Sequence, residues 1–258
     1  MKISQSVGAI APGTTLPEPT IDRYEDAELP IHPPAVARTL AYCVAVLVLA
    51  SLAGQAFKLT TGHDYAGGFI PKFNLDAEDN VPTFFSALLL VGAAGLLTII
   101  GTLKKKAKDT FALHWFTLAA LFLFLGTDEA SSIHETLIMP LRTAFKAEGI
   151  FHYAWVIAAI PLVILFMVGF AKFFFHLPRR FRLLLGLAVG TYITGALGLE
   201  LIGGWYAARN GLDNWGYVLL TTIEETLEMA GVVVLIYGLL EYLKQYAGQI
   251  RWSLHSTS

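Results

Sequence analysis

Apolar residues along this chain fall into long uninterrupted runs separated by short polar segments. Six runs can be counted, each about 20 residues or a little longer, which is the length of helix that crosses the hydrocarbon core of a bilayer. They lie at about 38–58, 83–103, 110–138, 153–176, 183–208 and 216–243. This pattern predicts an all-α fold, a polytopic membrane helix bundle of six transmembrane helices within residues 37–246.

The two ends of the chain have a different composition from the runs. Residues 1–36 are polar, contain an acidic run and carry six prolines, which predicts a flexible N-terminal tail. Residues 247–258 follow the last run and predict a short C-terminal tail.

The overall composition supports a membrane protein. Hydrophobic residues make up 55 % of the 258 residues and charged residues 15 %, whereas soluble domains carry about 25 % charged residues. The net charge of −2 argues against a nucleic-acid partner. We therefore expect the lipid bilayer as the main partner. A single cysteine, Cys43, excludes an internal disulfide and a cysteine-based zinc site.

The distribution of lysine and arginine predicts the orientation. If both termini lie in the cytoplasm, thirteen of the 18 basic residues fall on the inner side and five on the outer side. The five are Lys58, Lys72, Arg142, Lys146 and Arg209. Basic residues favour cytoplasmic connections, so the sequence predicts an N-in, C-in topology, which we expect in a bacterial cytoplasmic membrane.

Acidic residues interrupt three of the apolar runs, where an ionised group costs several kcal/mol unless it is partnered. The interrupting residues, with one histidine among them, are Asp128, Glu129, His134, Glu135, Glu200, Glu224, Glu225 and Glu228. If the runs are straight helices, Asp128 lies about 27 Å from the inner start of its helix and Glu200 about 25 Å from the start of its own. Glu224 lies about 10 Å from the outer start of the last helix. All three fall in the outer half of the bilayer, so the sequence predicts that they converge.

Such a convergence needs protons or cations, because like charges and desolvation both oppose ionisation. One interpretation is a carboxylate-bridged pair of divalent metal ions, iron or manganese, as found in some helical bundles. All eight of these residues are candidate ligands, and His152 could cap the site from the outer side. The pattern departs from known dinuclear sites because it has no Glu-x-x-His pair. The other interpretations are ion relay in a transporter and a purely structural cluster of hydrogen-bonded acids.

The leading functional hypothesis from the sequence is a metal-dependent membrane enzyme, most simply an oxidoreductase. Its substrate would be a lipid or another small hydrophobic molecule. The alternative hypotheses are a proton- or cation-coupled transporter and a structural acidic cluster. The sequence does not name a substrate or an oligomeric state.

The charge bias makes a direct prediction about topology. In a Cys43→Ala background, Lys106→Cys should be shielded from an impermeant thiol reagent added outside the cell, and Arg142→Cys should react. The physical reason is the retention of basic connections on the cytoplasmic side. Thiol labelling of intact cells measures both, and the reverse pattern would overturn the orientation.

Overall fold

The computed structural model describes residues 32–246, and every regular element in this range is helical. The predicted tails lie outside the described residues, except that α1 already begins at Pro33. The helices are α1 Pro33–Thr61, α2 Phe69–Phe73, α3 Val81–Lys106, α4 Ala112–Ser131, α5 Ile138–Phe145, α6 Val156–His176, α7 Arg179–Ile193, α8 Glu200–Asn210 and α9 Trp215–Tyr246.

Five helical segments are long and apolar enough to cross a membrane. They are α1, α3, α6, the continuous α7–α8 segment and α9. The α4 helix and the segment His134–Phe145 qualify only as a pair bent by 76°, which would be a broken span or a re-entrant loop. The all-helical architecture predicted from the sequence is confirmed, with five segments of this kind, or six if the bent pair is one span.

The bend after α4 replaces the straight helix predicted over 110–138. Ser132 adopts a left-handed backbone conformation, with φ of 52° and ψ of 36°. The carboxylate of Asp128 accepts a hydrogen bond of 2.8 Å from the backbone N–H of His134, a donor that a continuing helix would use for its own i−4 carbonyl. A 3₁₀ turn, His134–Leu137, and then α5 follow. Glu135 therefore lies beyond the bend and not on one straight helix with Asp128.

Short connections join successive long helices, so these helices run in alternating directions. One end of the bundle, here called the acidic end, contains the connections 62–80, 132–155 and 211–214. The other end, the basic end, contains residues 107–111 and 177–178, next to Lys104–Lys106 and Arg179. Aromatic rings pack together at the basic end. The ring centroids of Phe111 and His176 are 4.7 Å apart, and those of Trp115 and Tyr242 are 5.1 Å apart.

Helix α9 lies at the centre and α6 at the periphery. The α9 helix packs against α1, α3, α7 and α8, and its Met229 and Leu239 are almost completely buried. By contrast, α6 presents many exposed apolar side chains, and it contacts α4 through the rings of Phe170 and Phe173. An exposed apolar face of this kind suits contact with lipid.

Two glycines bring the backbones of α9 and the α7–α8 segment into direct contact. A Cβ atom added to Gly195 would lie 2.8 Å from the carbonyl oxygen of Glu224 and from Cγ of Glu228. One added to Gly231 would lie 2.9 Å from the carbonyl oxygen of Ala188. Gly195 belongs to a π-helical stretch, Thr194–Leu199, that connects α7 to α8. This contact places Glu224 and Glu228 of α9 directly against the π-helical stretch.

The close approach at Gly195 predicts an unequal effect of two alanine substitutions. We expect Gly195→Ala to lower the free energy of unfolding by about 1–3 kcal/mol, because its methyl group would overlap the backbone of α9. Gly190→Ala is the control, because no atom lies within 4 Å of its added Cβ and alanine favours a helix. Thermal unfolding in detergent measures both, and equal melting temperatures would contradict the packing.

Candidate functional site

The carboxyl groups of Glu200 and Glu224 meet at the acidic end. The two carboxyl groups lie close enough to share a proton, and Glu200 accepts a hydrogen bond of 2.7 Å from the indole Nε1 of Trp155. Glu200 is the first residue of α8, directly after the π-helical stretch, and Glu224 is 7 % exposed. Since an ionised carboxylate has no donor, a carboxyl–carboxyl hydrogen bond requires one proton between the two groups. This pair is therefore a candidate proton-binding site.

A second hydrogen-bonded group surrounds His134 at the bend. Its ring Nδ1 lies 3.0 Å from Oδ2 of Asp128, and its Nε2 lies 3.9 Å from Oε1 of Glu78. The imidazole packs on the indole of Trp155, with ring centroids 4.9 Å apart. The turn that bends the chain at Ser132 thus also fixes the imidazole, because Asp128 holds both the backbone and the ring of His134.

Glu78 enters this group from the connection between α2 and α3. Its Oε2 is buried and has no hydrogen-bond partner among the described residues. Desolvation, together with the nearby carboxylate of Glu135, raises the pKa of Glu78 to about 7, while His134 acts to lower it. Glu78 therefore titrates near neutral pH.

A third group is a chain of hydrogen bonds between two tyrosines and Asp76. The hydroxyl of Tyr217 donates to Oδ1 of Asp76 at 2.8 Å, so Tyr153 donates to Tyr217 at 2.7 Å. Asp76 as a residue is exposed, but its carboxyl group lies among other protein groups, and this partial desolvation raises its pKa to about 6, against the lowering effect of the Tyr217 hydrogen bond. Desolvation also raises the pKa of Tyr153 to about 12. Asp76 is the member of this chain that can change charge near neutral pH.

A small cavity lies deeper, between α3, α4, α7 and α9. Its volume is about 10 Å³, and its polar lining comes from Ser86, Glu129, Tyr192 and Glu228. Glu228 is hydrogen-bonded to Tyr192, and Glu225 lies within electrostatic range of both Glu228 and Glu129. A volume of this size holds about one water molecule or one ion.

The structure thus distributes the predicted site residues over several contacts. Asp128 pairs with His134, Glu200 pairs with Glu224, and Glu129 shares a cavity with Glu228. Glu135 is exposed at the bend, within electrostatic range of Glu78 and Asp76. Within residues 32–246, no group of three or more His, Cys, Asp and Glu side chains is placed so that it could hold a metal ion.

His152, expected as an outer cap, packs its ring on Tyr153 with centroids 5.0 Å apart. Its backbone carbonyl accepts a hydrogen bond from Arg142. Desolvation and the Arg142 guanidinium lower the pKa of the His152 imidazole. Its imidazole is thus shifted towards the neutral form.

Sequence reasoning missed the residues that complete these contacts. Asp76 and Glu78 lie in a polar connection, and the hydrogen-bonding roles of Tyr153, Trp155 and Tyr192 were not foreseen. The available signal was three acids close together, directly before α3, in a connection that contains three glycines and one proline. A connection that folds back over helix ends is not visible in such a pattern.

A helical chain with several membrane-length apolar helices, and with ionisable groups buried between them, fits the class of polytopic α-helical membrane proteins. The chain belongs to the family described as a domain of unknown function (DUF8692), whose model matches residues 40–243. No curated protein and no solved structure matches the chain.

The raised pKa of Asp76 predicts a pH-dependent difference in stability. Deprotonation is harder in the folded state, since the pKa rises from 3.8 to about 6, so the carboxylate destabilises the fold increasingly as pH rises through this window. Asp76→Asn keeps an acceptor for Tyr217 but does not titrate. The difference in melting temperature, Asp76→Asn minus wild type, should therefore increase from pH 4 to 6 and then level off.

Asp64→Asn, at an exposed acid in the same connection, is the matched control for this measurement. Its melting temperature should follow that of wild type across the same pH range. Parallel curves for Asp76→Asn and wild type would show that Asp76 is not desolvated.

Proposed function

We propose that this protein is a proton- or cation-coupled transporter with six membrane spans and both termini in the cytoplasm. The observation that carries the proposal is the close approach of the Glu200 and Glu224 carboxyl groups, which come from two different helices and can share one proton. Acids buried in membrane helices commonly mark ion pathways.

The neighbouring contacts bring other titratable groups close to this pair. Trp155 bridges two of the hydrogen-bonded groups, because its indole N–H donates to Glu200 and its ring packs on His134. Glu228 is within electrostatic range of Glu129, Glu200 and His134. In this proposal the groups act as one carboxylate cluster, in which gain of a proton at one site changes the affinity for protons at the others.

The charge distribution supports an outward-facing acidic end. With the basic end in the cytoplasm of a bacterial cell, Asp76 and Glu78 would meet the outer aqueous phase first. Their raised pKa values, about 6 and about 7, would let both bind and release protons near neutral pH.

A metal-dependent membrane enzyme is the second candidate, and the small cavity beside Glu129 and Glu228 favours it. Carboxylate and hydroxyl oxygens line that cavity, and its volume suits one ion. Hard divalent cations such as manganese or iron(II) accept such ligands. Metal analysis of purified wild type beside Glu228→Gln tests this candidate, and a wild type free of metal after native purification would exclude it.

Proton movement through the Glu200–Glu224 pair can be measured in liposomes. We expect wild type to acidify the lumen faster than protein-free liposomes after an external acid pulse, with charge compensated by valinomycin and potassium. Glu224→Gln should reduce this rate to the protein-free level, because an amide cannot exchange a proton with Glu200. A pH-sensitive dye in the lumen gives the rate.

Glu148→Gln is the control, since Glu148 is an exposed acid of the connection 132–155 and takes no part in the described contacts. It should match wild type. Wild type that acidifies the lumen no faster than protein-free liposomes, or a Glu224→Gln variant as fast as wild type, would overturn the movement of protons through the Glu200–Glu224 pair.

A further inference from the structure

A second and larger cavity lies beside Asp76. Its volume is about 170 Å³, and it lies between α1, the connection 62–80 and the first turns of α9. We call it the vestibule. Its polar lining includes Ser51, Gln55, Lys58, Asp76, Thr221 and Thr222.

The vestibule has the size and chemistry of a hydrated space. A cavity needs about 10–15 Å³ to hold one water molecule, so this one holds several. Thr222 donates its hydroxyl proton to the carbonyl of Val218, and Thr221 donates to carbonyls of its own helix. Their lone pairs therefore remain available to accept hydrogen bonds from water.

An ion pair joins two residues that line the vestibule. Nζ of Lys58, at the end of α1, lies 2.6 Å from Oδ1 of Asp213 in the turn before α9. The side chains are 33 % and 78 % exposed, respectively. Exposed ion pairs are weak and are screened by salt, so this contact breaks easily.

The inner wall of the vestibule leads to the buried acids. Asp76 lines the cavity, and its carboxylate accepts the hydroxyl proton of Tyr217, which is 4 % exposed. Tyr217 in turn accepts from Tyr153, two residues before Trp155 and its bond to Glu200. Asp76 thus stands between a polar cavity and a buried chain of hydroxyl groups.

We propose that the vestibule is the water-filled entrance through which protons or small cations reach Asp76, and that the Lys58–Asp213 ion pair closes its mouth. This inference rests on the proposed transport function and names the entry route of that site. Hydronium and hydrated alkali cations share the requirement for oxygen acceptors, which the threonines and Asp76 supply.

Cysteine accessibility tests the entrance with two adjacent residues of α9. Thr222 is 7 % exposed and lines the vestibule, whereas Ile223 is 51 % exposed on the apolar surface. In a Cys43→Ala background, Thr222→Cys should react with a small cationic, membrane-impermeant thiosulfonate added at the acidic end. Ile223→Cys should not react, because a thiol in lipid stays protonated and out of reach of the reagent.

Opening the ion pair should accelerate the reaction. We expect the double variant Asp213→Asn, Thr222→Cys to react several-fold faster than Thr222→Cys alone. High salt should reduce this difference in rate, because salt weakens the ion pair in the single variant. An anionic reagent of the same size should react more slowly than the cationic one, because the Asp76 carboxylate faces the cavity. Ser51→Cys, on the α1 wall, repeats the test if Thr222→Cys does not fold.

The outcomes separate this inference from the proposed function. Vestibule cysteines that stay unreactive, or an Ile223→Cys that reacts as fast as Thr222→Cys, would overturn the entrance, even if proton flux in liposomes is intact. Reactive vestibule cysteines in a protein without proton flux would overturn the transport function and show only a hydrated cavity.

Discussion

The cost of placing carboxyl groups in a medium of low dielectric governs how this protein is arranged. A charged group within the hydrocarbon layer needs a partner, a proton or water, and several of the buried acids in the described part of the chain have a polar partner. Glu200 has an indole N–H and a neighbouring carboxyl, Glu228 has a phenol, and Asp128 has an imidazole. The helices are therefore positioned as much by hydrogen bonding between polar groups as by apolar packing.

Backbone contact supplies the precision that such pairing needs. Because Gly195 and Gly231 have no side chains, α9 lies directly against the π-helical stretch, and this fixes where Glu224 and Glu228 project. Short π-helical insertions often occur at functional sites, since the extra residue re-aims the side chains that follow. Glu200 is the residue that follows here, and it points to Glu224.

The sequence predicted the coarse architecture because that architecture depends on local properties. The length of each apolar run and the position of each acid within it are visible without knowledge of the fold. The bend at Ser132 was not predictable in this way, since it depends on whether the Asp128 carboxylate or the i−4 carbonyl captures the N–H of His134. Both choices satisfy the donor, and neighbouring structure decides between them.

The contacts of Asp76 and Glu78 could not be predicted from the sequence for a related reason. Their connection looked like a solvated loop, and only its return across the helix ends places Asp76 under Tyr217 and Glu78 beside His134. The residues concerned are 141 and 56 positions apart in sequence. No pattern within a single segment carries information about contacts over such a separation.

The 76° bend between α4 and the segment that contains α5 has a consequence for how the protein meets the lipid headgroups. If α4 crosses the bilayer close to its normal, this segment lies almost in the plane of the membrane surface. Its Met139 and Phe145 are each 63 % exposed. Such side chains suit insertion between the lipid headgroups, as in interfacial amphipathic helices. The level of the headgroups would then set the height of His134, so a thicker or thinner bilayer would shift the imidazole relative to the acids of the neighbouring helices.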